Sequence, residues 1–85
     1  MNPWYLYVVR CADDTLYTGI TTDPARRLWE HNNSKRGAKY TQTRRPVRDI
    51  VLLEYFIDRS AAQKAERKFK KLKRQQKEAI IHENR

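Results

Sequence analysis

Few residues in this 85-residue chain are equipped for chemistry. Its two glycines are too few for a phosphate-cradling loop. Its histidines and single cysteine do not cluster as metal ligands, and no Ser, His and Asp suggest a nucleophilic triad. Three groups remain. Tyr5 and Tyr7 alternate in one stretch; Tyr17 follows Tyr7 after nine intervening residues, with Gly19 two further on. Arg27 and His31 are four apart. Glu66 is the only acid between Ser60 and Gln76, amid seven lysines and arginines. If the tyrosine stretches pair as strands, Tyr5, Tyr7 and Tyr17 converge on one surface, where Gly19 would leave room for a phosphate to approach the backbone. Each group also has a purely structural reading. The tyrosines can bury their rings and keep hydroxyls at a rim. Arg27 can pair with Asp23 or Glu30, and Glu66 with Lys70 one helical turn on.

Positioning these groups is the task of six elements. Residues 4–10, Trp-Tyr-Leu-Tyr-Val-Val-Arg, are apolar on both alternating faces and predict a strand buried on both sides. Asp13-Asp14 supplies a turn, and Leu16 to Ile20 reads as a second strand in a hairpin with the first. Asp23-Pro24 predicts a helix start, with Asp23 capping and Pro24 in the first turn. This helix should run to about Asn32, turning Ala25, Leu28 and Trp29 to the core and placing Arg27 and His31 on one face. Residues 33–48 are polar and basic and carry Gly37 and Pro46, which predicts a long loop with a function. Ile50 to Ile57 reads as a third, well-buried strand. Asp58 or Ser60 caps a helix with the stripe Ala62, Ala65, Phe69 and Leu72, and a last helix over about 75–82 offers Ala79, Ile80 and Ile81. The expected fold is α+β: a small three-stranded antiparallel or mixed sheet flanked by helices, in the order β-β-α-β-α-α.

Charge narrows the partner. Nineteen Lys and Arg against ten Asp and Glu give +9. Residues 1–33 carry three basic and four acidic side chains, and residues 34–48 carry six basic and no acidic ones. A positive field gathered in the middle and end of a chain fits a polyanion, with an anionic membrane or an acidic protein as weaker alternatives. One cysteine excludes an internal disulfide framework and a cysteine zinc site. Nine aromatics argue against a disordered tail, and the absence of a long apolar run or a secretory leader leads us to expect a cytoplasmic protein. The length supports one domain over residues 1–85, with its core at about 4–82; a chain this short buries only about two-thirds of its unfolded surface.

Tyr5-Leu6-Tyr7, nine residues, then Tyr17-Thr18-Gly19 resembles the two half-motifs of the GIY-YIG nuclease superfamily. The run from Gly19 to Asn32 resembles that family's next segment, with Arg27 eight residues after the glycine and His31 four later. Glu66 matches the family's metal-binding glutamate. The resemblance covers about residues 4–82 and is closest to the small stand-alone bacterial members. Tyr5 stands where the family name has glycine, and Thr18 replaces isoleucine. The asparagine that several members carry after the glutamate has no counterpart here except Asn84 near the chain's end, to which no role is assigned.

The resemblance implies an endonuclease that hydrolyses phosphodiester bonds of DNA, in repair or recombination, with one divalent ion, Mg2+ or Mn2+. The same fold as an inert or weak nucleic-acid-binding module is the alternative. It further implies that Glu66 holds the metal, that Arg27 forks onto the scissile phosphate, and that Tyr7 or Tyr17 acts as base or orients water. His31 would orient a phosphate or shuttle a proton. Lys35, Arg36, Lys39, Arg44, Arg45 and Arg48 in the loop, with Lys68, Lys71 and Arg74 later, would follow the DNA backbone. Tyr40 is placed to stack on a base or to pack the loop. No membrane or protein partner is expected, and a monomer is the default.

Overall fold

The structure is a computed structural model that describes residues 3–33 and 44–84, apart from the side chain of Arg48. Its elements are β1 (Trp4–Cys11), β2 (Leu16–Thr21), α1 (Pro24–Asn33), β3 (Val47–Phe56), α2 (Arg59–Lys70) and α3 (Arg74–Glu83). The order β-β-α-β-α-α is the expected one. The sheet is antiparallel throughout, with strand order β2-β1-β3. Among the described residues, no helix is long and apolar enough to cross a membrane.

The central place of β1 explains why both its faces are apolar: Leu6, Tyr7, Val8, Val9 and Cys11 are all buried. On one face Tyr7, Val9 and Cys11 pack with Val47 against Tyr17, Leu28 of α1 and Ile50. On the other, Val8 and Leu52 meet Phe69 of α2 and Ile81 of α3. The molecule thus has two half-cores, one on each side of the same strand.

Local chemistry sets the element ends. Asp13 Oδ1 accepts from the Thr15 backbone N–H at 3.1 Å and from its hydroxyl at 2.6 Å, and Asp14 adopts φ 69°, so this turn closes β1 onto β2. Asp23 Oδ1 accepts from the Arg26 N–H at 3.1 Å to cap α1. Asp58, rather than Ser60, caps α2 through the Ala61 N–H at 2.8 Å. Arg10 donates twice to Glu78, at 2.7 and 3.1 Å, and clamps α3 to the central strand. Arg74 joins that clamp through Glu78 and the Asp14 carbonyl.

Three expectations about facing are corrected. Ala25 and Trp29 do not face the core: Ala25 is exposed and Trp29 is 61% exposed, while His31 is wholly buried. The cause is the end of α1, where Asn32 exchanges two hydrogen bonds with the Val47 backbone, at 3.1 and 2.6 Å. That staple helps hold Leu28 and His31 toward the sheet. The third strand is not well buried, because it is an edge and α1 covers only part of its face; Leu53 and Tyr55 are 48% and 63% exposed, and Ile57 just beyond it is 59% exposed. It also begins three residues earlier than expected, with Val47 opposite Cys11. In α3, Ile81 is buried and Ile80 half-buried, but Ala79 is exposed.

Candidate active site

The site is assembled on the α1 face of the sheet. β1 and β2 pair Tyr7 with Gly19 and Val9 with Tyr17, so Tyr7 and Tyr17 project side by side, ring centroids 6.4 Å apart. The buried row of α1 lies over them. Tyr7 Oη and His31 Nε2 are 2.8 Å apart, and Arg27 Nε donates to Tyr7 Oη at a longer 3.4 Å. The Tyr17 ring meets the imidazole edge-on, with centroids at 5.2 Å. Arg27 Nη1 also donates to Glu30 Oε1 at 3.1 Å. Sequences 24 residues apart thereby form one hydrogen-bonded cluster.

Gly19 has a different purpose from the one anticipated. A Cβ at this position would lie 2.6 Å from Tyr7 Oη and 2.7 Å from its Cζ. The space the missing side chain leaves is filled by the Tyr7 ring and not left open to a phosphate. Tyr5 lies on the Tyr7 face as expected but packs elsewhere. Its ring turns to Tyr55 across β3, with centroids at 5.8 Å in an edge-to-face arrangement, instead of joining Tyr7 and Tyr17.

Burial decides the protonation states. It pushes the Tyr7 hydroxyl up to about 12, with the Arg27 hydrogen bond pulling the other way. Burial also drives His31 down to about 4, and the neighbouring Arg27 charge adds to the effect. Near neutral pH both groups are uncharged. Arg27 donates to the Tyr7 hydroxyl, and in the tautomer that leaves Nε2 unprotonated Tyr7 donates its own proton to His31. For Arg27, burial opposes the charge, but the hydrogen bonds to Tyr7 and Glu30 outweigh it and raise its pKa, so it stays cationic.

Glu66 lies on α2, which packs mostly against β2 and β1. Its carboxylate is 3.3 Å from Lys70 Nζ with its side chain 21% exposed, and its charge contributes to the upward push on Tyr7. Among the described residues, no group of three or more His, Cys, Asp or Glu forms a metal cage. One half-shielded carboxylate fits a magnesium-like ion, which takes one or two protein carboxylates and completes its octahedron with water and substrate oxygens. It does not fit a closed structural metal site.

The expected basic surface divides. Lys35, Arg36, Lys39 and Tyr40 lie outside the described residues, as does the side chain of Arg48. Arg45 reaches the site, its Nε donating to the His31 carbonyl at 2.6 Å over the last turn of α1. Arg44 pairs with Asp13 at 3.1 Å. Lys68 and Lys71 are exposed on and just beyond α2. Arg74 is held by Glu78 and Asp14, so its part is first of all to anchor α3. The sequence gives no sign of the Arg10–Glu78 clamp, which joins positions 68 residues apart and has no local signature, nor of the pairing of Tyr5 with Tyr55.

A buried tyrosine over glycine, bonded to a helix histidine and arginine on an antiparallel hairpin, defines a class. The GIY-YIG catalytic domain matches residues 3–79, and the chain belongs to that family. Within it, the chain is similar to the UPF0213 proteins. One from Desulfotalea psychrophila is 51% identical over 78 residues, covering 92% of this chain and 70% of that protein. The UPF0213 protein YazA of Bacillus subtilis is 45% identical over 84 residues, covering 99% of this chain and 83% of YazA. Two solution NMR structures share the fold. A UPF0213 protein of Bacillus halodurans is 39% identical with a TM-score of 0.60, covering 94% of this chain and 83% of that one. A protein of E. faecalis is 41% identical with a TM-score of 0.64, covering 99% and 88%.

Proposed function

We propose that this protein is an endonuclease that hydrolyses DNA phosphodiester bonds, with Arg27, Tyr7, Tyr17, His31 and Glu66 as its working residues. The observation that carries the reading is the Tyr7–His31–Arg27 cluster, built over Gly19 and lying within range of the Glu66 charge. Arg27 binds non-bridging phosphate oxygens, where a permanent charge and a planar fork of donors suit a phosphoryl group whose charge grows during attack. Tyr7 is 2% exposed, with its hydroxyl committed to His31 and Arg27, so it positions Arg27 and does not itself meet water. Tyr17 is half-buried against both Tyr7 and His31 and is the hydroxyl that orients the attacking water. His31 serves as a neutral acceptor that fixes the direction of the Tyr7 proton. Glu66 would hold one divalent ion, Mg2+ or Mn2+, which when bound supplies Lewis-acid stabilisation and a water of lowered pKa. Arg45 and the exposed Lys68 and Lys71 hold the backbone without reading sequence. Contacts to the backbone suit DNA recognised by its shape, as in repair or recombination.

The test is a panel of linear, flapped, forked and single-stranded DNAs incubated with Mg2+ or Mn2+. Wild-type protein should nick at least one of them, and Arg27→Ala and Glu66→Ala should each lower the rate about a hundredfold or more. Activity that survives both changes refutes this site. Tight binding with no cleavage of any structure would establish the same fold as a binding module instead.

A further inference from the structure

The sheet face that carries Tyr7 continues beyond the site. β1 and β3 pair Tyr7 with Leu53 and Tyr5 with Tyr55, so Tyr5, Leu53 and Tyr55 share the Tyr7 face. Two residues along a strand span about 7 Å. That puts the Tyr5–Tyr55 pair one strand repeat from the tyrosine that holds Arg27. Leu28 of α1 packs at the other end of this face, against the cluster of Tyr7, Val9, Cys11 and Val47. The near end stays open: Tyr55 is 63% and Leu53 48% exposed, and Ile57 beyond them 59%. An apolar strip of this kind on a chain with 34% charged residues calls for an occupant.

Charge selects among the occupants. A second copy could use the β3 edge, but it would bring +9 against +9. A polyanion is attracted by that field, and only a nucleic acid combines phosphates with flat apolar rings that match exposed tyrosine. Bases within a duplex are stacked on their neighbours and offer no free face, whereas an unpaired base does.

We infer that Tyr55, backed by Tyr5 and Leu53, is a stacking subsite for an unpaired base flanking the phosphate held by Arg27. It makes single-stranded or flapped DNA the preferred substrate. This deepens the nuclease reading above and rests on it for the neighbouring phosphate.

The experiment uses the full chain in metal-free buffer, so that binding is read without cleavage, and a single-stranded oligonucleotide carrying 2-aminopurine. Binding should quench the 2-aminopurine fluorescence. Tyr55→Ala should weaken single-strand and flap binding about five- to a hundredfold and leave duplex affinity unchanged, while Tyr55→Phe should keep the wild-type behaviour. Equal losses on duplex and single strand, or no loss, overturn the subsite, as does a concentration-dependent dimer that Tyr55→Ala dissociates. The two readings fail separately. Quenching without cleavage in Mg2+ keeps the subsite and rejects the nuclease; cleavage of flap and duplex by Tyr55→Ala at wild-type rates rejects the subsite and keeps the nuclease.

Discussion

Replacing Gly19 by alanine perturbs the site through a single carbon atom. The added Cβ would sit 2.6 Å from Tyr7 Oη, 2.7 Å from Cζ and 2.9 Å from Cε1, far inside van der Waals contact. The Tyr7 ring is 2% exposed and packed with Val9, Cys11 and Val47, so it has little room to yield. Overpacking of this kind costs about 1–3 kcal/mol. If the ring moves enough to lose the 2.8 Å bond to His31, a buried imidazole nitrogen is left unsatisfied at a further ~1–3 kcal/mol. A domain of this size loses roughly 4–8 °C in Tm per kcal/mol, so Gly19→Ala should melt about 5–20 °C below wild type, and lower still if the His31 bond is lost. Calorimetry or urea titration measures this, and the His31 ring resonances report whether the bond to Tyr7 survives. In a Tyr7→Phe background the closest clashing atom is gone, so the alanine penalty should shrink without vanishing, a non-additivity expected only if the two side chains meet. An alanine variant as stable as wild type, with His31 unperturbed, would refute this account of the glycine.

Two further outcomes follow from the same geometry. His31 is held near pKa 4 when folded, against an ordinary value near 6.5, so below about pH 6.5 the unfolded chain takes up a proton that the folded one refuses. Stability should be full above about pH 6.5 and fall by on the order of 3 kcal/mol as pH drops toward 4; urea melts across that range should show the loss, and His31→Gln should flatten it. Asp58→Ala removes the acceptor for the Ala61 N–H at the start of α2 and should cost about 1 kcal/mol, seen as a Tm lower by several degrees.

Features that depend on neighbours in sequence are legible in the residues themselves. The unbroken apolar run in β1, the Asp23-Pro24 and Asp58 starts, the Asp13-Asp14 turn and the Arg27/His31 spacing all report on local chemistry, and each is present in the fold. What misleads depends on partners far along the chain. Trp29 looks like a core residue because it is large and apolar, but α1 is oriented by the Asn32 bonds to Val47 and the His31 contact with Tyr7. Leu53 and Tyr55 look buried because they belong to an apolar strand, yet strand order puts that strand at an edge. Gly19 looks like an opening for a ligand because nothing local tells which residue faces it across the hairpin or where that residue's ring points. The members of the cluster are legible; which of them is buried and which meets solvent is not.

The double duty of β1 has a consequence for how this fold can lose activity. Tyr7, Gly19 and His31 are parts of a half-core, so a change at any of them threatens folding before it silences chemistry. Arg27 and Glu66 sit at the margin, each with a charged neighbour on its own helix, and can be replaced with the framework intact. A descendant retired to a purely binding role should therefore keep the tyrosine, glycine and histidine and show its retirement at the arginine and the glutamate. The half-motifs that name the family are then a poorer witness to catalysis than the two charges outside them.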